Sequence, residues 1–452
     1  MDKALWTTTQ QISAIQSGEL TSRDLLEIYI DRIDRLNPAI NAVITRDFEA
    51  ARKQADDIDK ARKESQPGGL LSGIPITVKD ALETKGIRST GGAKILYENI
   101  PERDAPVVKS VKEEGAIVIG KTNLPLWSGD IQAFNDMFGT TNNPWNFEKV
   151  PGGSSGGAAA AVAAGLTSFE IGTDIGGSIR FPSAFCGVFG HKPSYGIVPS
   201  SGYLDHELGG TTEADINVIG PIARSAEDLK LLLDILKRKT GPFPAQLAPA
   251  LPLDKLRIAA WLDDKFCPID KEVLDKITAT VEVMKGAGFD INMDARPDID
   301  PMEAAATGMQ LVSAAISRIV PDAPLRHNEW LELHQKRETI RLKWAEFFQR
   351  YDVLLAPVSF VPPFDHLHEG NFMTRKLTCN NEIRAYFELV SWTTLIGMAF
   401  LPSTVPPIGL GESGLPIGIQ VIGPHGADYT TIQMAGRIAE LMGGYKPPPM
   451  AL

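Results

Sequence analysis

Two glycine-rich stretches contain the residues whose types and spacing suit nucleophilic chemistry. One is residues 152–156, Gly-Gly-Ser-Ser-Gly, and the other is residues 172–182, Gly-Thr-Asp-Ile-Gly-Gly-Ser-Ile-Arg-Phe-Pro. In the second, two adjacent glycines before Ser178 allow the backbone to turn several N–H groups toward one point, as an oxyanion hole requires. The same sequence is also common in surface turns without chemistry, so both interpretations stay open from this stretch alone.

The first stretch also satisfies the G-x-S-x-G pattern of the nucleophile elbow in Ser-His-Asp hydrolases. That elbow requires a strand immediately before the serine. Residues 142–151 contain two prolines and several polar side chains, so they do not predict a strand. None of the seven histidines stands in a context typical of a catalytic base, and His366-x-His368 lacks an evident third metal ligand. We therefore expect neither a Ser-His-Asp enzyme nor a metal site.

Residues 115–122, Gly-Ala-Ile-Val-Ile-Gly-Lys-Thr, match the phosphate-binding loop pattern. That motif requires a strand, then a flexible loop, then a helix. Here the preceding segment is helical in pattern, the supposed loop is itself an apolar strand, and Pro125 follows too closely for a free helix. We expect Gly115 to end a helix and Gly120 to end a strand, with no nucleotide site.

The composition excludes several classes of protein. The chain has 452 residues with 43% apolar and 22% charged side chains, enough for a large folded core, and its net charge of −11 disfavours a nucleic-acid partner. No apolar run of about 18 residues predicts a membrane span, and the first residues become polar too early for a signal peptide. Three widely spaced cysteines predict no disulfide framework and fit a cytoplasmic location.

The elements that must position these stretches follow from hydrophobic spacing. The first 65 residues are expected to be helical: Thr21 or Ser22 caps a helix that Asn37-Pro38 ends, and a polar helix follows at 48–63. Beyond residue 67, short apolar runs alternate with helices, which favours an α/β fold around a buried sheet. Strands are predicted at 74–78, 116–119, 257–261, 352–356 and 417–422, and helices at 107–114, 158–166, 225–239 and 430–442.

Residues 241–252 carry four prolines and predict either a linker or a surface crossover. Both sides of this segment show the same α/β pattern. One sheet shared by both parts is therefore at least as compatible with the sequence as two separate domains.

Together these motifs resemble the amidase-signature family. Residues 151–157, Pro-Gly-Gly-Ser-Ser-Gly-Gly, contain Ser154, and Ser178 follows it after 24 residues. The resemblance extends from about residue 8 to 444 and is weakest between 240 and 350. Similar blocks of the family are residues 73–80 (Gly-Ile-Pro-Ile-Thr-Val-Lys-Asp), 120–123 (Gly-Lys-Thr-Asn), 141–145 (Thr-Asn-Asn-Pro-Trp) and 414–423 (Gly-Leu-Pro-Ile-Gly-Ile-Gln-Val-Ile-Gly).

The resemblance implies one α/β domain over residues 1–452, with a large mixed, twisted β-sheet covered by α-helices. Residues 1–65 are then its N-terminal helical part and 240–350 a variable helical part. It also implies acyl transfer to a serine, with no metal or organic cofactor. The implied catalytic residues are Lys79, Ser154 and Ser178; the implied oxyanion donors are the backbone N–H groups of Ile175, Gly176, Gly177 and Ser178; the implied supporting residues are Ser155, Asp174 and Arg180.

The implied proton path sets a condition on Lys79. Ser154, which follows an implied cis peptide bond after Gly153, links Ser178 to this lysine, and the lysine must be neutral to accept a proton. Its reference pKa of about 10.4 must then be lowered by roughly three units through burial. Asp80 opposes this unless it points away, as strand alternation permits.

The sequence says less about the substrate. The family acts on fatty-acid, aryl and peptide amides, amino-acid oligomers and carbamates, so a small-molecule amide, carbamate or ester is expected, with a monomer or homodimer as the assembly. Either the following apolar residues form a substrate pocket or they pack the core: Leu126, Trp127, Phe134, Met137 and Phe138.

Two alternatives belong to other functional classes. One is the glutaminase component of the glutamyl-tRNA amidotransferase, its A subunit, which works with partner proteins and usually carries a Gly-Arg-Val-Ser-Arg stretch. Here residues 196–200 are Gly-Ile-Val-Pro-Ser, which argues against it. The other is an inactive binding relative, against which the retention of Lys79, Ser154 and Ser178 argues.

Overall fold

Most of the chain folds around one large β-sheet in the computed structural model, which describes residues 2–204, 211–239, 245–317 and 325–451. Within these ranges the α-helices are α1 (Thr8–Ser17), α2 (Ser22–Ile40), α3 (Phe48–Lys63), α4 (Pro106–Glu113), α5 (Gly156–Ala163), α6 (Arg180–Cys186), α7 (Ala226–Leu236), α8 (Lys271–Gly286), α9 (Pro301–Ala315), α10 (His327–Phe348), α11 (Ser391–Gly397) and α12 (Asp428–Met442). The strands are β1 (Val43–Arg46), β2 (Pro75–Lys79), β3 (Ile117–Thr122), β4 (Phe134–Asn135), β5 (Gly139–Thr140), β6 (Glu170–Asp174), β7 (Phe189–Lys192), β8 (Val218–Ala223), β9 (Ile258–Ala260), β10 (Ile291–Asn292), β11 (Val353–Pro357), β12 (Lys376–Cys379), β13 (Glu382–Ala385), β14 (Ser403–Val405), β15 (Pro407–Leu410) and β16 (Pro416–Ile422).

The large sheet has nine strands and mixes parallel and antiparallel pairs. Its order is β10-β9-β11-β16-β14-β7-β8-β6, and β15 pairs with β16. Strand β9 pairs in parallel with β10 on one side and with β11 on the other. The other pairs are antiparallel. Strands from both sides of the proline-rich segment belong to this sheet. The expected single α/β domain with a mixed sheet is therefore confirmed.

The proline-rich segment itself crosses the surface. Residues 241–244 lie outside the described residues, and 245–252 are mostly exposed and contain no helix or strand. The N–H of Ala248 donates to the carbonyl of Gly426 beside α12. Among the helices of the described ranges, none combines the length and apolar character that crossing a membrane requires.

A second, three-stranded sheet of order β1-β3-β2 carries Lys79 at the end of β2. It lies against the large sheet beside β6, where the N–H of Thr77 donates to Thr167 Oγ1 at 2.9 Å. Strand β1 falls inside the segment that was expected to be wholly helical, so that expectation is wrong for residues 43–46. Gly120 lies inside β3 rather than at its end. Glycine is required there because a Cβ would lie 2.2 Å from the carbonyl oxygen of Thr45.

Helix α2 extends past the proline that was expected to stop it. Pro38 lies within the last turn and the helix ends at Ile40, with Asn41 in the left-handed conformation at φ 54°. The Asn37 side chain accepts hydrogen bonds from the N–H groups of Ala42 and Val43 and donates to the Val43 carbonyl. These bonds satisfy the chain after the helix, so the proline is tolerated at this end.

The backbone of helix α5 approaches the chain at the end of β3 closely. All eight of its residues, which are glycine, alanine and valine, are buried. A Cβ atom on Gly157 would lie 2.5 Å from the backbone N and O atoms of Asn123, so glycine is required at this approach. The small residues of this helix thus allow close packing of backbone against backbone.

Gly157→Ala is expected to destabilise the fold by about 1–3 kcal/mol, because the added methyl group must displace the Asn123 backbone. Gly286→Ala, at the end of α8, is the matched control, since a Cβ there meets no atom within 4 Å. That control should be neutral or stabilising by up to about 1 kcal/mol. Urea unfolding of both variants measures the difference; equal stabilities would contradict the close approach.

Candidate active site

The amine of Lys79 lies in a buried cage of hydroxyl groups. The residue is 0% exposed. Its Nζ donates hydrogen bonds to Ser154 Oγ at 2.7 Å, Ser155 Oγ at 3.0 Å and Thr173 Oγ1 at 2.7 Å. No carboxylate within the described residues forms an ion pair with it.

Burial among neutral groups changes the protonation of this amine. It lowers the pKa of the Lys79 ammonium to about 7, although the negative charges of Asp174 and Glu170 oppose the change. Glu170 is itself fully buried and accepts a hydrogen bond from Thr122 Oγ1 at 2.8 Å. Burial raises the pKa of that carboxyl to about 7. The neighbouring Asp80 side chain points away from Lys79, as expected, and accepts from the Thr90 N–H.

The peptide bond between Gly153 and Ser154 is cis, as the resemblance implied. Gly153 packs against the Gln132 backbone, since a Cβ there would lie 2.4 Å from the Gln132 carbonyl oxygen. Ser154 is fully buried. Its Oγ, which is bonded to the Lys79 amine, therefore has no contact with bulk solvent.

Ser155 connects the lysine cage to the loop that carries Ser178. Its Oγ donates to the Thr173 carbonyl and accepts from the Thr173 N–H, both at 3.3 Å. Its own N–H donates to the Ser178 carbonyl at 3.2 Å. These bonds fix the first Gly-Gly-Ser stretch against the second.

Ser178 lies in the loop between β6 and α6 and opens on a cavity while remaining 5% exposed. The N–H of Gly177 donates to Asp174 Oδ1 at 2.8 Å. This amide, one of the four expected oxyanion donors, is thus already bonded to a carboxylate. The backbone N–H groups of Ile175, Gly176 and Ser178 make no hydrogen bond within the described ranges, and these three residues line the cavity.

Asp174 and Arg180 hold this loop from inside. The Asp174 carboxylate accepts from Arg180 Nη2 at 2.8 Å and from the N–H of Ile179 at 3.1 Å. Burial alone would raise the pKa of Asp174, but the Arg180 guanidinium outweighs it and keeps the pKa below its usual value. Arg180 Nη1 reaches across to the Thr393 carbonyl and Gln420 Oε1, both at 2.8 Å. The oxyanion loop is thus anchored to α11 and β16.

The cavity in front of Ser178 has a volume of about 520 Å³ and mostly apolar walls. Asp130 is the only charged residue among its described lining residues, and it is paired with Arg375 and accepts from Tyr386 Oη. The apolar lining residues are Leu126, Trp127, Ile131, Ile175, Ala214, Met309, Val312, Ile316, Phe372, Met373 and Val390.

Five residues were expected either to form a substrate pocket or to pack the core, and the structure places two of them at the cavity. Leu126 and Trp127 line the cavity. Phe134, Met137 and Phe138 do not, because they belong to the small β4–β5 hairpin, which turns away from the cavity. The phenyl ring of Phe134 packs on the His368 ring at 4.6 Å, and Phe138 lies 6.4 Å from the Tyr97 ring.

The turn of that hairpin explains why Phe134, Met137 and Phe138 do not line the cavity. The Asn135 side chain accepts hydrogen bonds from the N–H groups of Met137 and Phe138 at 3.0 and 2.9 Å. These bonds reverse the chain immediately, so apolar side chains close to the catalytic motifs in sequence end up outside the cavity.

The remaining motifs have structural roles. Residues 115–122 form a helix end and the strand β3, without a loop in the middle. The Cys186 thiol is buried, donates to the Pro151 carbonyl at 3.3 Å, and has its pKa raised by burial, so it is a packed residue of the core. The rings of His366 and His368 lie 5.6 Å apart, and the described residues contain no group of three side chains that would hold a metal.

The family model of the amidases matches residues 24–320 and 317–432 of the chain. The protein belongs to the amidase family. Its similarity to curated amidase relatives covers nearly the whole sequence. The A 2 form of the glutamyl-tRNA(Gln) amidotransferase A subunit from Clostridium acetobutylicum is 32% identical over an alignment of 479 positions, gaps included, which covers 93% of this chain and 95% of that protein.

Solved structures show the same fold. A bacterial aryl acylamidase of the amidase-signature family matches 99% of this chain and 98% of its own with a TM-score of 0.87 at 24% identity. A further amidase structure matches 97% and 100% with a TM-score of 0.83 at 25% identity. The chemistry of this amidase is accordingly that of a C–N hydrolase, while its substrate is not given by these similarities.

Sequence reasoning missed two sets of residues in this amidase. Thr173 stands inside the quoted motif, but only its strand position beside Lys79 reveals that its hydroxyl completes the cage. Met309, Val312 and Ile316 recur at helical spacing on α9 and just beyond it, which indicated a buried face. That spacing does not distinguish a face buried in the core from one that lines a cavity.

Lys79→Met should change how stability depends on pH. The folded Lys79 has a pKa of about 7 and an unfolded lysine about 10.4, so between these values the unfolded chain binds one proton more. Stability of the native chain should then rise relative to the variant by about 1.4 kcal/mol per pH unit. Urea unfolding from about pH 7.5 to 9.5 measures this. Parallel curves for the two proteins would show that Lys79 stays protonated in the fold.

Proposed function

We propose that this protein hydrolyses amide and related carbamate bonds through an acyl-enzyme at Ser178, with Ser154 as proton relay and Lys79 as base. The observation that carries the proposal is a buried lysine of lowered pKa, bonded to Ser154, behind a serine that opens on an apolar cavity. A strongly perturbed buried base beside a nucleophile in a cleft is the pattern of an active site.

The proposed first half-reaction forms the acyl-enzyme. Ser178 Oγ attacks the carbonyl carbon while its proton passes to Ser154 Oγ and the Ser154 proton passes to Lys79 Nζ. The carbonyl oxygen becomes an oxyanion, which the free N–H groups of the loop stabilise. The Lys79 ammonium then returns a proton through Ser154 to the amine nitrogen, the C–N bond breaks, and the amine leaves.

The second half-reaction reverses these transfers with water as the nucleophile. Water adds to the acyl carbon as its proton travels through Ser154 to Lys79. The tetrahedral intermediate then expels Ser178 Oγ, which regains the proton from the same relay, and the acid is released: a carboxylic acid from an amide, or a carbonic acid monoester, which loses CO2, from a carbamate whose amine has left. In this scheme Ser155 and Thr173 hold the lysine amine, and Asp174 and Arg180 hold the oxyanion loop.

The cavity favours an uncharged substrate with a substantial apolar or aromatic part. A charged group placed there would lose its hydration without gaining a partner, because the single lining carboxylate is already paired. Aryl amides, aryl carbamates and their ester analogues fit this description. The same carbonyl attack and the same oxyanion donors serve all three bond types.

One observation favours the glutaminase alternative, namely the 32% identity to an amidotransferase A subunit. Glutamine carries an ammonium and a carboxylate. The described lining residues contain no lysine, arginine or histidine to receive that carboxylate. The inactive alternative is disfavoured by the intact Lys79–Ser154 hydrogen bond behind Ser178.

Ser178→Ala should abolish hydrolysis by the isolated chain across a panel of anilides, aliphatic amides, aryl carbamates and aryl esters, and should abolish labelling by a fluorophosphonate. Ser154→Ala should also lower amide turnover by at least about 100-fold, since general acid–base catalysis is lost. In contrast to Ser178→Ala, it should still form an adduct that mass spectrometry maps to Ser178. An adduct on Ser154, or activity toward glutamine alone, would refute the assignment.

The acidic limb of kcat/KM should lie near pH 7, with activity rising above it, because Lys79 must be neutral and its pKa is about 7. Lys79→Ala should remove this limb. It should reduce anilide hydrolysis more than aryl ester hydrolysis, since a phenolate leaves with less need of a delivered proton than an amine.

The measurement is the ester-to-amide ratio of kcat/KM across about pH 5–10 in both proteins. The ratio should rise in Lys79→Ala. A limb near pH 6 that survives the substitution would point to an imidazole base instead, and an unchanged ratio would make Lys79 structural.

A further inference from the structure

Asn217 presents an unsatisfied carboxamide at the cavity in front of Ser178. The residue lines the cavity and is 5% exposed. Its backbone N–H donates to the Asp215 carbonyl at 2.8 Å, but its side-chain amide makes no hydrogen bond within the described part of the chain. The amide nitrogen and oxygen are open to the cavity rather than sealed in the core, so two donor hydrogens and an acceptor oxygen are available there. A molecule bound in the cavity is the partner that would satisfy them.

The backbone around Asn217 is held in a conformation that its sequence does not favour. Ile216 is β-branched and fully buried, yet its φ is +67°, a value that such residues rarely adopt. The bond from the Asn217 N–H to the Asp215 carbonyl closes a three-residue turn around it. Strain of this kind persists where the surroundings enforce it, and it concentrates at ligand sites.

A partly buried ion pair supplies that enforcement. Arg337 Nη1 of α10 donates to Asp215 Oδ2 at 2.6 Å, and the guanidinium lies 4.7 Å from the centre of the Phe400 ring. On the other side, Asn217 leads directly into β8 of the large sheet. The backbone that carries the carboxamide is therefore held on both sides before any substrate arrives, which reduces the entropy lost on binding.

The side chains around Asn217 favour an uncharged ligand over a charged one. The facing wall from Met309 to Ile316 is largely apolar, and the lining carboxylate Asp130 is already paired with Arg375. An ion would be poorly solvated here, whereas an uncharged carbonyl or N–H would find both a donor and an acceptor in the carboxamide.

We propose that Asn217 is a specificity-determining residue that hydrogen-bonds a second, uncharged amide or carbamate group of the substrate. The scissile carbonyl lies at Ser178, the second group lies at Asn217, and apolar carbon joins them along the cavity. The preferred substrates are thus neutral molecules with two such groups. This inference rests on the proposed hydrolysis at Ser178 and adds the recognition of a second polar group.

The test uses a series of acyl 4-nitroanilides of equal chain length with the full-length protein. One member has only methylene groups, and in the others a secondary amide replaces two methylenes at successive positions. For one amide position, the ratio of its kcat/KM to that of the all-methylene member should fall by about tenfold or more in Asn217→Leu, because leucine cannot form the hydrogen bond.

Stability separates this role from a structural one. Asn217→Leu removes an unpaired polar group, so its Tm should be equal to or above that of the native chain. Asn143→Leu is the matched control: Asn143 is buried and its side chain bonds the Val150 and Phe185 carbonyls and the Trp145 N–H, so its Tm should fall.

Each result bears on a separate part of the proposal. A ratio that is the same in both proteins at every amide position, or a Tm loss in Asn217→Leu as large as in Asn143→Leu, overturns the role of Asn217 and leaves the Ser178 chemistry intact. A native chain that hydrolyses no member of the series, esters included, overturns the proposed function and this inference with it.

Discussion

A primary amine that is buried among neutral hydroxyl groups holds its proton weakly, and the active region of this amidase depends on that fact. Lys79 has three oxygen partners and no ion-pair partner in the described chain, which brings its pKa to about 7. A carboxylate in contact with Nζ would restore the proton and remove the base. The nearest negative charges, on Asp174 and Glu170, are instead occupied by Arg180 and by Thr122.

Keeping the amine dry requires the backbone to approach it closely on every side. Helix α5 and the two glycines before Ser154 supply that approach, because Gly153 and Gly157 lie against the backbones of Gln132 and Asn123 with no room for a Cβ. The loop of Ser178 is closed from the opposite side by the Asp174–Arg180 pair. Small residues and one buried ion pair thus keep water away from the Lys79 amine. Bulky apolar side chains in the same place would occupy space that a substrate needs.

Much of this architecture could be predicted from local patterns. Helix α3 follows the predicted boundaries, and β2, β11, β16 and α12 start or end within two residues of prediction, since each is bounded by a change of polarity or a turn residue. The serines and Lys79 were found because their motifs are contiguous in sequence. The predicted end of α2 at Pro38 was wrong because the Asn37 side chain compensates for the proline. No local propensity encodes that compensation.

Most of the cavity wall, apart from Leu126 and Trp127, was not predicted from the sequence. Phe134 and Phe138 are near the motifs in sequence but turn outward, whereas Met309 and Phe372 reach the cavity from more than a hundred residues away. Apolar side chains in a wall and in a core have the same spacing, because both faces are removed from water. Only the three-dimensional arrangement separates them.

The two halves of the chain contribute different parts of the site. Lys79, Ser154 and Ser178 all come from the first half, while α9, α11 and residues 372–373 bring much of the cavity wall from the second, where the family resemblance is weakest between 240 and 350. Substitutions in α9 touch no hydrogen bond of the lysine cage. The side chains of α9 that line the cavity can therefore change in evolution while the lysine cage and its hydrogen bonds stay constant.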